Sequence, residues 1–176
     1  MYSIIYADPC WNYARREQHN KKEANKSVDD HYNTMTLDEL KKLKVPSLCA
    51  KDCLLFMWTS SPHLSQAIEL MSSWGFEYKT VAFVWYKERT NPGYYTMSQC
   101  ELCLVGKKGN IPSPRGSRNE KQFLSELRGR HSQKPAEVRN RIMRMFPDQK
   151  KIELFSREQV DGWDCWGNEV QSTISI

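Results

Sequence analysis

At 176 residues the chain is long enough for a single domain, residues 1–176, and too short for two comfortable ones. A hydrophobic fraction of 39% excludes disorder as the default, and the longest apolar runs, such as Cys53 to Trp58, are too short to span a bilayer. The net charge of +5 is concentrated in two segments, Arg15 to Lys26 and Lys107 to Lys134, while the rest of the chain is net acidic. Solvated loops explain such runs, and so does contact with a polyanion such as a nucleic acid. The N-terminus has neither a basic flank nor a small-residue cleavage site, so the expected compartment is the cytoplasm, with reduced thiols and no membrane partner.

In chain order, Tyr2 to Ala7 reads as a short buried strand stopped by Asp8-Pro9. Residues 12–33 are polar without hydrophobic period and read as a long loop. Thr36 to Leu43 reads as a short helix, with Thr36 and Glu39 at capping-box spacing. Cys53 to Trp58 is a second strand. Ser61-Pro62 opens a helix that Gly75 closes. Tyr78 to Tyr86 and Cys100 to Gly106 read as strands, and Lys107 to Lys121 as a basic loop. Pro135 to Phe146 is a helix, with Val138, Ile142 and Met145 on one face, and Lys151 to Phe155 is a last strand. Alternating strands and helices give the α/β class, with a largely parallel sheet covered on both faces. Ligands of such sheets bind beyond the carboxyl ends of the strands, which directs attention to Asp8, Trp58-Thr59 and Ser156-Arg157.

Asp8-Pro9-Cys10-Trp11 follows the first strand directly. Asp-Pro alone after a strand is simply a turn; with Trp11 added, the tetrapeptide suits chemistry on an exocyclic amine of a base. That nitrogen's lone pair is delocalised into the ring, so it attacks an electrophile only if drawn towards tetrahedral geometry. Acceptors on its two N–H bonds achieve this, and they stabilise the positive charge that develops. The Asp8 carboxylate is one acceptor, the Pro9 carbonyl can be the other, and Trp11 offers a face on which a flipped base could stack.

The chain resembles the family of N6-adenine methyltransferases whose signature after a strand is Asp-Pro-Pro-Trp, the family of the catalytic subunit of the eukaryotic messenger-RNA adenine methylation complex. The resemblance rests on Tyr6 to Trp11, with Cys10 in place of the second proline. It continues through His31 to Met35, Leu55 to Trp58, Glu101 to Gly106, His131 to Pro135, Ile152 to Arg157, Gly162 to Asp164 and Trp166 to Glu169. It implies a Rossmann-like S-adenosylmethionine-dependent methyltransferase fold in permuted order, with the catalytic motif first and the cofactor motifs last. The implied catalytic set is Asp8, Pro9, Cys10 and Trp11. The implied cofactor contacts are Asp8, Lys134, Phe155, Arg157, Asn168 and Glu169. Lys134 would meet the methionine carboxylate, Arg157 the ribose, and Asn168 and Glu169 the ribose and adenine edge.

Trp11, His31, Tyr32 and Glu101 are expected around the substrate base, with Arg115, Arg118 and Lys121 on the flanking phosphates. The small build resembles bacterial and phage DNA-modifying members, so DNA is favoured over RNA. It also leaves room for a homodimer or a partner chain. The alternatives are a catalytically inactive nucleic-acid-binding relative, the same chemistry on RNA adenine or on cytosine N4, and a zinc module built on Cys49, Cys53, Cys100 and Cys103. Three-residue spacing puts the last two cysteines on opposite faces of their strand, so no metal is expected.

Overall fold

The computed structural model describes residues 1–11, 34–127, 129 and 133–176. Its elements in chain order are β1 (Tyr2–Ala7), α1 (Leu37–Lys42), α2 (Val45–Leu48), β2 (Cys49–Thr59), a 3-10 turn (Ser61–His63) and α3 (Leu64–Ser73). There follow β3 (Glu77–Asn91), β4 (Ser98–Lys108), β5 (Phe123–Ser125), α4 (Ala136–Met145), β6 (Lys151–Leu154) and β7 (Asp164–Trp166). The strands form one seven-stranded sheet in the order β5-β3-β4-β2-β1-β6-β7.

The sheet is more mixed than the sequence suggests. β1 pairs in parallel with β2 and β6, β6 with β7, and β3 with β5; β4 runs antiparallel to both β2 and β3. The reversal follows from the short connection between β3 and β4, which leaves no room for a crossover helix. The short strands β5 and β7 carry too few residues to show a period.

Successive strand residues point to opposite faces, and this sorts the core into two layers. Ile5, Ala7, Leu55, Met57, Ile152 and Leu154 face one layer, closed by Leu40 of α1 and by Ala67, Leu70 and Met71 of α3. Ile4, Tyr6, Leu54, Phe56, Trp58, Phe83, Trp85 and Cys103 face the other, closed by Val138 and Ile142 of α4. Local signals hold these helices. The Thr36 hydroxyl accepts the Glu39 N–H at 3.3 Å and the Glu39 carboxylate accepts the Thr36 N–H at 2.7 Å, a complete capping box. Gly75 ends α3 at φ +81°, a conformation that costs an ordinary side chain strain. No helix among the described residues is long and apolar enough to cross a membrane.

Candidate active site

The rows of side chains facing α4 are apolar through the sheet and end in charge at one rim. Along β1, Tyr6 is followed on the same face by Asp8. Along β3, Phe83 and Trp85 are followed by Lys87. On β4, Cys103 and Glu101 lie opposite Phe83 and Trp85 in register. Lys134, two residues before α4, comes down onto that rim.

These groups form one chain of alternating sign. Lys134 Nζ lies 2.8 Å from Asp8 Oδ2 and 3.2 Å from Glu101 Oε2, and Lys87 Nζ lies 3.3 Å from Glu101 Oε1. Burial would push the Glu101 carboxyl up, but the Lys134 and Lys87 ammoniums outweigh it and hold it below the usual carboxylate range. Burial would likewise lower Lys134, but Asp8 and Glu101 raise it, so it remains an ammonium. Its charge also sits 5.8 Å from the centre of the Trp58 ring. Trp58 in turn donates its indole N–H to the Tyr6 hydroxyl at 2.6 Å.

Next to Asp8 a cleft opens at the carboxyl ends of β1 and β6, lined by Tyr6, Asp8, Gln133, Lys134, Arg139, Glu153, Phe155, Arg157 and Glu158. The register pairs Tyr6 with Glu153, so Glu153 faces α4 as Tyr6 does. Arg139, itself buried, reaches Glu153 at 2.9 Å and also pairs with Glu158. Burial pushes the Glu153 carboxyl above its usual range despite Arg139. Phe155 follows β6 in the left-handed region at φ +61°, with its ring edge-on to Trp166 at 5.3 Å. A phenylalanine held there is strained, and such strain persists only where neighbours over-determine it. The Ser156 N–H donates to the Trp166 carbonyl at 3.0 Å, and a Cβ at Gly167 would stand 2.1 Å from the Ser156 carbonyl oxygen. Only glycine lets residues 166–169 lie this close to the turn after β6. Arg157 thereby sits 3.9 Å from Glu169 at the rim.

The tetrapeptide itself is a tight turn. The Asp8 N–H points to the Leu154 carbonyl at 3.4 Å, the Pro9 carbonyl accepts the Trp11 N–H at 2.9 Å, and the Cys10 carbonyl accepts the Met35 N–H at 2.9 Å. A carbonyl has two lone pairs, so Pro9 keeps one for a second donor. Cys10 is half-buried, and burial raises its thiol.

The MT-A70 family pattern matches residues 2–169. The chain belongs to the MT-A70 family. It is 51% identical over 181 residues to the Type II methyltransferase M.MunI of Mycoplasma sp, covering 96% of this chain and 78% of that protein. It is 29% identical to the N(6)-adenosine-methyltransferase subunit METTL3 of Danio rerio and 28% to the METTL3 catalytic subunit of Homo sapiens. Each alignment covers 96% of this chain and 28% of the relative. The chain thus spans little more than a quarter of those eukaryotic proteins.

In this MT-A70 chain, Asp8, Glu101, Lys134, Phe155 and Arg157 lie along one rim. Glu101 lies behind Lys134 and is not among the residues lining the cleft. Asn168 and Glu169 are exposed; Glu169 stands 3.9 Å from Arg157, and neither residue lines the cleft. Trp11 departs from expectation: it is 6% exposed, its ring stacks on His63 at 5.8 Å, and its N–H points to the Trp58 carbonyl at 3.4 Å. A ring packed this way supports the floor of the site and presents no open face to a base.

Arg115 and Arg118 are also displaced. Cys53 pairs with Lys108 and Thr59 with Leu102, so β4 ends at the rim opposite Asp8, and the basic segment starts there. Gly116 and Ser117 donate to the Met145 and Arg144 carbonyls at the far end of α4, and the Arg115 guanidinium lies over the Phe146 ring at 5.4 Å. Lys121 lies alongside α4, its carbonyl taken by Arg141 at 2.6 Å. The same register separates Cys53 from Cys103, which pairs with Trp58, by roughly 16 Å of strand, so the four-cysteine zinc site does not assemble. His31, Tyr32, Arg128 and Arg130 lie outside the described residues, as does the whole of the first basic segment, Arg15 to Lys26.

Among the residues of the site not read from the sequence are Lys87, Arg139 and Glu153. Lys87 had a signal, because the period of Phe83 and Trp85 puts a lysine at an inward position. Arg139 had one as well, lying one residue after Val138 on the helix face that meets the sheet. The inward face of Glu153 depends on β6 pairing with β1, a contact between distant segments.

Proposed function

We propose that the chain transfers a methyl group from S-adenosylmethionine to the N6 amine of an adenine in DNA. The observation that carries this is the junction of Asp8 with the cleft beyond β1 and β6, so that one carboxylate serves both a base amine and a bound cofactor. The donor set fits that cofactor, which is an amino acid carrying a sulfonium and a nucleoside. Lys134 supplies the cation for its carboxylate, Asp8 and Glu153 supply acceptors for its ammonium and hydroxyl groups, and Arg157, Asn168 and Glu169 stand at the nucleoside end. When bound, S-adenosylmethionine supplies an electrophilic methyl.

The chain's own residues do the rest. The Asp8 carboxylate accepts one N–H of the target amine, and the free lone pair of the Pro9 carbonyl accepts the other. Together they draw the nitrogen out of conjugation and stabilise the positive charge that develops on it. Holding amine and methyl in line provides much of the acceleration, and no covalent enzyme intermediate is needed. The base must leave its stack to reach Asp8, which lies at the floor of the rim. DNA is favoured because the relative sharing half of its residues is a Type II methyltransferase. We place the reaction in the cytoplasm and within one domain.

Methyl transfer from labelled cofactor to matched DNA and RNA oligonucleotides tests the reading. Label in adenine-containing DNA is the expected result. Efficient transfer to RNA with none to single- or double-stranded DNA would overturn the substrate assignment.

A further inference from the structure

Lys87 is 6% exposed, and its ammonium has been carried to the inner face of a strand whose preceding inward residues, Phe83 and Trp85, are apolar. Burying an ammonium is costly unless it is paired. Its partner is a carboxylate already engaged elsewhere: one Glu101 oxygen faces Lys87 at 3.3 Å, the other faces Lys134 at 3.2 Å. Lys87 does not line the cleft, so it touches neither cofactor nor base from there.

The consequence lies in the charge balance. Asp8, Lys134, Glu101 and Lys87 together are neutral. Without Lys87, one ammonium would stand between two carboxylates, and the group would carry a net negative charge. An incoming carboxylate would then meet repulsion at the group meant to bind it. We propose that Lys87 is a positioning residue that neutralises Glu101 from behind, leaving the Lys134 charge available to the carboxylate end of S-adenosylmethionine. The inference rests on the assignment of Lys134 to that carboxylate.

Calorimetric titration of S-adenosylmethionine into the purified protein and its variants tests both levels. Lys87→Met should weaken binding by about tenfold, within the range for coupled neighbours. Lys87→Arg, which keeps the charge, should recover most of the loss. In a Glu101→Gln background, Lys87→Met should change affinity less than about twofold, because the charge it balances is gone. If Lys87→Met does not fold, Lys87→Gln carries the same expectations, since it removes the charge and keeps a donor for Glu101. Equal losses with Glu101 and with Gln at that position would mean that Lys87 acts by packing, and the proposal fails. An unchanged affinity in Lys87→Met, with Lys134→Met clearly weakened, overturns the inference alone. An unchanged affinity in Lys134→Met overturns the cofactor assignment and the inference with it.

Discussion

The two rims of the sheet both carry charge, and they use it differently. At the rim beyond β1, Asp8, Lys134, Glu101 and Lys87 are largely buried and alternate in sign within hydrogen-bonding distance. At the far end of α4, Arg144 holds Glu120 through two contacts of 2.9 and 2.8 Å, but its side chain is 47% exposed, and Arg118 is exposed as well. Water screens the second set, so each pair there is worth little, whereas a missing partner in the first leaves a charge without compensation. Of the basic residues that stand out in the sequence, Arg115 and Arg118 lie at the far rim. The register of the strands points to the near one.

The sharpest break of that contrast is Asp8→Ala. Turnover should fall by at least ~10²-fold, the cost of one preorganised electrostatic group, with a much smaller change in cofactor affinity. Single-turnover rates and calorimetry on one preparation check this. Lys134→Met should come next, with S-adenosylmethionine bound roughly ten- to a hundredfold more weakly, the worth of a charge-assisted hydrogen bond. Asn168→Ala, at an exposed position outside the cleft lining, should weaken binding less than Lys134→Met in the same titration.

The far rim should respond weakly. The hydrogen bonds from Arg144 hold the Glu120 carboxyl down at about 2. A lowered carboxyl in the folded state adds stability above its ordinary range and loses it as pH falls through the folded value. Glu120→Gln should therefore cost less than about 1 kcal/mol at pH 7, given its exposed partner. Urea unfolding of the variant should lose less stability between neutral pH and pH 3 than the parent does. The smallest effect is expected from joint replacement of Arg115, Arg118 and Lys121 by Ala. The sequence leads one to expect a flatter salt dependence of DNA binding. With Arg115 and Arg118 at the far rim, the slope of affinity against salt should stay nearly unchanged.

What was legible in the sequence is what depends on neighbours along the chain. The strand before Asp8, the capping box of Thr36 and Glu39 and the close of α3 at Gly75 all follow from local chemistry. So does the alternation that builds the two core layers. The reversal of β4 was not legible, because β3 and β4 run on beyond the strands read from the sequence, Tyr78 to Tyr86 and Cys100 to Gly106, and so shorten their connection to a hairpin loop. That reversal moves Arg115 and Arg118 away from Asp8 and brings Glu101 towards it. Trp11 was misread for a related reason: its packing on His63 and Trp58 is set by where β2 ends, which no local pattern reports.

The most direct measurement digests DNA to nucleosides after a single turnover with labelled cofactor, for the parent and for Asp8→Ala. Label confined to N6-methyladenine in the parent, falling by at least ~10²-fold in Asp8→Ala while that variant still binds the cofactor, is the predicted result. Label on N4-methylcytosine, or N6-methyladenine formed equally fast without the Asp8 carboxylate, would contradict it.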